Sequence, residues 1–190
     1  MNTFAHLLGY LVDLFTALLG SVLLLRAWVY AQAIPTADPI ARFCIALTDW
    51  LVLPVAKTMR ASGKWHWPAI LSAFGVAILS SILSRLLFGI PMSILGLVVS
   101  PFALLIRWGT EMVLWGTVIW VVLSWLQSAS PVTRTLGYLV DPFLRPARRL
   151  IPMIKGFDLS PILVFILCQV ILIIITPLAR WDYLINSFPA

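Results

Sequence analysis

The chain has 190 residues, of which 62% are hydrophobic and only 11% charged, and its mean hydropathy is +1.03. A typical soluble domain carries about 25% charged residues, so this composition excludes a cytosolic globular enzyme, a disordered tail and a disulfide-rich secreted module. Thirteen Lys and Arg stand against seven Asp and Glu, a net charge of +6, and the placement of those charges matters more than their sum.

Four segments meet the roughly 20 apolar residues needed to cross the hydrocarbon. In chain order they are about Leu7–Trp28, interrupted by Asp13 and Arg26; Pro68–Phe88, with Arg85 near its end; Leu104–Gln127, holding Arg107 and Glu111; and Pro161–Ala179, free of charge. The first reads as a retained helix rather than a signal peptide, because no Lys or Arg precedes Arg26 to form a basic leader. Ile90–Phe102 is also apolar but contains Pro91, Gly96 and Pro101. It is a fifth span, a re-entrant segment or a kinked extension of the third helix.

Residues 29–67 carry Arg42, Lys57, Arg60 and Lys64, and residues 128–160 carry Arg134, Arg145, Arg148, Arg149 and Lys155. Nine of the 13 basic residues thus fall in two connections, which the positive-inside rule places in the cytoplasm. Two connections on one side are separated by an even number of crossings, so Ile90–Phe102 is not expected to span by itself. The expectation is an all-α membrane protein with four transmembrane helices and both termini on the periplasmic side. Trp28, Trp65, Trp67 and Trp125 then fall at the inner interface, with Trp181 and Tyr183 at the outer one.

The chain also repeats internally. Pro39, Arg42, Asp49, Pro54 and Lys57 recur 92 positions later as Pro131, Arg134, Asp141, Pro146 and Arg149. Each half is helix, basic loop, helix, and with both loops cytoplasmic the two repeats are parallel: residues 1–89 and 104–190, joined by an apolar connector at 90–103. This differs from transporters built on inverted repeats.

In the second loop Arg145, Arg148 and Arg149 follow i, i+3, i+4 spacing, with Phe143, Leu144, Ala147, Leu150 and Ile151 between them. On a helix this makes a cationic stripe and an apolar face, the layout of a segment lying in the membrane interface. Asp141 and Pro142 are expected to open it as N-cap and first helical residue, and Pro146 to break or kink it. The first loop is a blurred copy, with Lys57, Arg60 and Lys64 basic and Leu51, Val52, Val55, Ala56 and Met59 apolar. Such loops bind anionic headgroups at roughly 1 kcal/mol per basic residue, or form a docking face for a partner protein. Nucleic-acid binding matches the charge sign alone and is not expected. Ser160 as N-cap and Pro161 as first helical residue launch the last span, with Gly156 relieving the backbone before it.

The run Asp141-Pro142-Phe143-Leu144-Arg145-Pro146-Ala147-Arg148-Arg149-Leu150-Ile151-Pro152, continuing through Gly156-Phe157-Asp158-Leu159-Ser160-Pro161, resembles the signature of the YggT family of small membrane proteins. Ser124-Trp125 upstream also matches that pattern, and the resemblance covers nearly the whole chain as two tandem repeats. The first copy departs from it, with Trp50 after Asp49 and Leu53 before Pro54. The resemblance implies a bacterial inner-membrane protein, related to a chloroplast branch called YlmG. It further implies links to osmotic tolerance, cell-division gene neighbourhoods and cytochrome maturation, without a settled biochemical activity.

Asp13, Arg85, Arg107 and Glu111 fall at similar depth in the outer half of the spans. Ionisable groups in a bilayer are costly and face one another or a wet cavity. Arg107 and Glu111 can pair along one helix, and Asp13 can reach Arg85 across helices. The cluster is either a neutralised group near the outer interface or part of an ion or proton pathway. Ala69, Ala73, Ala77 and Ser81 form a line of small residues that lets helices approach closely, within the chain or in a homo-oligomer.

Cys44, Cys168, His6 and His66 show no disulfide, zinc or haem spacing, so no metal or cofactor is expected. Neither paired carboxylates, a nucleophile with a base, nor a phosphate-cradling glycine loop is visible. The leading expectation is a non-enzymatic scaffold or assembly factor, engaging anionic lipid and a membrane, division or assembly partner through its basic loops. The alternative is ion or solute permeation linked to osmotic response.

Overall fold

The structure, a computed structural model, describes residues 3–59, 63–89, 94–126, 130–150 and 158–179. Arg60, Pro91, Pro152, Lys155, Gly156, Trp181 and Tyr183, singled out above, lie outside the described residues. The described residues form six helices, in chain order: α1 Thr3–Ala31, α2 Pro39–Thr58, α3 Trp67–Phe88, α4 Ile94–Trp125, α5 Pro131–Leu150 and α6 Ser160–Ala179. All but α5 are long and apolar enough to cross a membrane. Bundle exteriors are apolar to match: α6 exposes Ile162, Phe165, Ile166, Ile173 and Ile174, a surface that needs lipid rather than water around it.

Helix α2 occupies the stretch read above as a basic loop, and it is the fifth helix of spanning length. Pro39 sits in its first turn, and the Asp38 side chain caps it by accepting from Ile40 N–H at 2.8 Å. Helix α4 runs unbroken from Ile94, so Ile94–Phe102 is the N-terminal extension of the third predicted span, with Pro101 inside it.

Helix α5 corrects the expected start at Asp141. It opens ten residues earlier, at Pro131, where the Ser130 hydroxyl accepts from Thr133 N–H at 3.2 Å. Asp141 is therefore a mid-helix residue and no cap, Pro142 is not the first helical residue, and Pro146 does not end the helix. Both prolines lie on the exposed face. The residues whose carbonyls they leave without an amide partner, Tyr138 and Pro142, are exposed too, so these carbonyls need no partner inside the bundle.

Helix α1 packs chiefly on α3, and α4 on α6. The line Ala69, Ala73, Ala77 and Ser81 is buried, and its three alanines share a core cluster with Leu23 and Ala27 of α1, Val52 of α2 and Trp108 of α4. Small side chains on α3 thus seat a neighbour within the same chain. At Gly20 any Cβ would overlap the indole of Trp108, which is 1% exposed. A glycine is required there for α1 to approach α4.

Helices α2 and α5 meet the bundle at one end. From Ala41 to Val52, the α2 core residues cluster with α1 residues between Leu23 and Val29, roughly 9 Å of helix axis. The Leu51 carbonyl accepts from Ser72 in the second turn of α3. Helix α2 is thus held to the C-terminal half of α1 and to the start of α3. Helix α5 meets the same end: the Trp28 indole N–H donates to the Leu139 carbonyl at 3.1 Å, and the Trp28 and Phe143 rings lie 5.5 Å apart. Helix α5 also reaches the cap of α2, where the Thr135 hydroxyl donates to Asp38 at 2.5 Å.

Candidate functional site

Three features of the bundle carry candidate chemistry: a polar cavity, a basic helix and an apolar groove beside that helix. The cavity, about 210 Å³, lies between α1, α3 and α4 and reaches Ala179 of α6. Asp13, Arg85, Arg107 and Glu111 all line it, together with Tyr10, Ser80, Ser81 and Ser84. Ser84 donates to Asp13 at 2.6 Å. Arg85 is buried, and its guanidinium donates to the Ser81 carbonyl and hydroxyl and, at 2.9 Å, to Ser100 on α4. Arg107 and Glu111 pair along one turn at 2.8 Å, and Thr16 bonds Ser80 across α1 and α3 at 3.0 Å. Each charge enters this apolar bundle with a polar partner, as low dielectric demands. Trp108 closes one side and belongs to the apolar cluster beyond it.

The family-like run on α5 forms a clasp. Asp141 accepts from Arg145 at 2.5 Å and from Arg148 at 3.2 Å, and Arg148 reaches on to Asp158 at 2.9 Å. Asp158 also accepts from Ser160 N–H at 2.9 Å, so it receives the first amide of α6 while Ser160 begins the helix. Burial alone would raise the Asp158 carboxyl, but its hydrogen bonds from Ser160 and the charge of Arg148 outweigh that and hold it below the ordinary value. Arg148 thus ties α5 to the start of α6. Arg145 and Arg149 remain on the exposed face, with the Arg145 side chain 74% exposed. Lys57 at the end of α2 and Lys64 before α3 are exposed as well.

Pro142 and Pro146 line the groove, about 480 Å³, which α5 shares with α4, α6 and Trp28. Its other walls include Ile106, Gly109, Val113, Val164, Leu167 and Ile171.

Several partners escaped the sequence reading. Arg26 binds Thr48 and Asp49 of α2 at 2.9 and 2.8 Å, so Asp49 holds α2 to α1 whereas Asp141, 92 positions later, bonds within its own helix. His66 caps α3 by accepting from Ala69 N–H at 3.2 Å; burial and the charge of Arg26 lower its pKa, which keeps the ring an acceptor. Cys44 and Cys168 are free and buried. Among the described residues, no group of three His, Cys, Asp or Glu comes together to hold a metal ion.

A family model described as CCB3/YggT matches residues 1–87 and 99–179. The chain is 30% identical over 172 residues to the uncharacterized protein YggT of Escherichia coli K12, covering 90% of this chain and 88% of that one. It is 28% identical over 174 residues to an uncharacterized protein in the proC 3' region of Vibrio alginolyticus, covering 87% and 89%. An uncharacterized protein of Haemophilus influenzae is 28% identical over 144 residues, 75% of this chain and 77% of the relative. No solved structure matches the chain with significance.

Proposed function

The chain belongs to the CCB3/YggT family, and on that premise we propose a non-enzymatic scaffold or assembly factor of the bacterial inner membrane that grips anionic headgroups through α5. The observation that carries this reading is the division of labour on α5. One face, Thr135, Leu139, Val140, Leu144 and Ala147, is buried in the bundle, the Arg148 clasp fixes the helix in place, and Arg145 and Arg149 are left outward. A rigidly seated cationic face at the membrane surface holds acidic lipid and presents a constant shape to a protein partner. Division or assembly proteins and a second copy of the chain are the partner classes in view; nucleic acid is not.

In this reading α1, α3, α4 and α6 span, α2 and α5 lie at the cytoplasmic interface, and both termini are periplasmic. The meeting of α2 and α5 at one end of the bundle supports it, as does the basic character of both connections. Two family-matching segments, each with an intervening helix between two long apolar ones, support parallel repeats.

Spin labels introduced singly at Tyr138, Arg145 and Arg149, in the full chain reconstituted in bilayers, test the reading. We expect headgroup depth at all three sites, accessibility from the face opposite the termini, and immobilisation that rises with anionic lipid. Labels in bulk water with no lipid dependence would refute it.

A second reading, ion or solute permeation linked to osmotic response, is favoured by the polar cavity alone. It requires that Glu111→Gln or Asp13→Asn abolish a flux in proteoliposomes without loss of folding. Wild-type flux no greater than that of empty liposomes over several monovalent ions would end it.

A further inference from the structure

We propose that the groove between α4, α5 and α6 is a binding site for one anionic phospholipid, with an acyl chain in the groove and the phosphate on Arg145 and Arg149. The proposal rests on the interfacial placement of α5 and adds a defined lipid site to a general surface attraction.

Spacing on α5 supplies the first argument. Pro142, Arg145, Pro146 and Arg149 follow i, i+3, i+4, i+7, so they form one stripe. The two prolines line the groove, which puts the two arginines at its rim. The proline rings line the groove with carbon, and neither proline brings a backbone N–H to it.

The second argument is depth. Ile171 at the far end lies eleven residues beyond Ser160, about 16 Å along the axis at 1.5 Å per residue. The hydrocarbon core is about 30 Å thick, so the groove runs the depth of one leaflet, starting beneath the basic helix.

Chemistry of the lining is the third. The Thr110 hydroxyl is satisfied by the Ile106 carbonyl at 2.8 Å, and the Trp28 N–H by Leu139. Little is left there to orient a polar solute, whereas an alkyl chain needs no partner. At the rim, among the described residues, Arg145, Arg148 and Arg149 stand against Asp141 and Asp158 in the clasp, an excess of positive charge for a phosphate. Guanidinium groups match phosphate geometry.

Native mass spectrometry of the full chain in detergent, with phosphatidylglycerol and phosphatidylcholine of identical chains, tests this. Wild type should hold one phosphatidylglycerol in preference to phosphatidylcholine. Arg145→Gln with Arg149→Gln should reduce that preference, by about fivefold per arginine. Ile106→Trp and Ile171→Trp fill the groove from partly exposed positions, so the fold tolerates them. Each should reduce retention of both lipids while leaving the arginines in place. Loss on arginine replacement but wild-type retention in both tryptophan variants would overturn the groove while sparing the surface reading. Wild-type preference after arginine replacement would overturn both. A lipid-free dimer that the tryptophan variants dissociate would assign the groove to a second copy and overturn the proposal.

Discussion

If the Arg148–Asp158 contact holds α5 to α6, the two residues must be coupled in a way that separates charge from capping. Asp158→Asn keeps an oxygen for Ser160 N–H but removes the charge facing Arg148; Asp158→Ala removes both. Hydrogen bonds to charged groups contribute about 1.5–3 kcal/mol when well shielded, and exposed ion pairs about 0.2–1 kcal/mol. With side chains 34% and 23% exposed, the pair falls between these limits, at about 1 kcal/mol. A lost helix cap costs roughly 1 kcal/mol more. Asp158→Asn should therefore destabilise by about 1 kcal/mol and Asp158→Ala by about 2 kcal/mol. Unfolding by dodecyl sulfate in mixed micelles, with Arg148→Gln alone and combined with Asp158→Asn, measures the coupling directly. The pH dependence has a definite sign. The Asp158 carboxyl is held below its ordinary value in the folded chain, so the unfolded chain binds the proton more readily. The stabilisation is full above the unfolded value, about pH 4, and is lost as pH falls through the lower folded value. Asp158→Asn should flatten that acid limb. Additivity of the two single variants within about 0.3 kcal/mol, or an unchanged acid limb, would refute the clasp.

Two glycine substitutions should have opposite signs in the same unfolding assay. Gly20→Ala places a methyl group on the buried Trp108 ring and should destabilise by about 1–3 kcal/mol, the usual cost of overpacking. Gly75 lies exposed inside α3 with nothing near its missing Cβ, so Gly75→Ala should stabilise by up to about 1 kcal/mol through backbone entropy. Shifts of the same sign would contradict the close approach of α1 to α4.

Long charge-poor runs made α1, α3, α4 and α6 legible, because a helix facing lipid must be apolar on nearly every side. Helix α2 was obscured by Arg42, Asp49 and Lys57, spaced about two turns apart, and by Pro54. Those charges dilute an apolar count but fit a helix with one face on α1, where Asp49 meets Arg26, and the other outward, where Arg42 and Lys57 are exposed. Its start was nonetheless written in the chain: Asp38-Pro39 has the polar-then-proline form of Ser130-Pro131 and Ser160-Pro161. In α5 the same form occurs twice, at Ser130-Pro131 and Asp141-Pro142. Only the first is a start, since the helix continues wherever an outward face spares its prolines a buried, unpaired carbonyl.

At the candidate site, local periodicity was readable and long-range partnership was not. Arg107–Glu111 follows from i, i+4 spacing, and the gathering of Asp13, Arg85, Arg107 and Glu111 around one cavity follows from the cost of burying charge. Nothing in spacing assigns Ser84 to Asp13, Ser100 to Arg85 or Asp49 to Arg26, because those pairs depend on which helices adjoin. The three arginines of α5 show the limit most clearly. Positions i+3 and i+4 lie on opposite sides of i, about 60° one way and 40° the other at 3.6 residues per turn. From Arg145, one side leans toward Leu144 and Ala147, which are buried; the other leans outward. Arg148 takes the inward side and meets Asp158, while Arg149 takes the outward side. One residue of register thus separates a structural tie from a surface charge. The contact on the far side of the helix, ten residues along the chain, decides which is which.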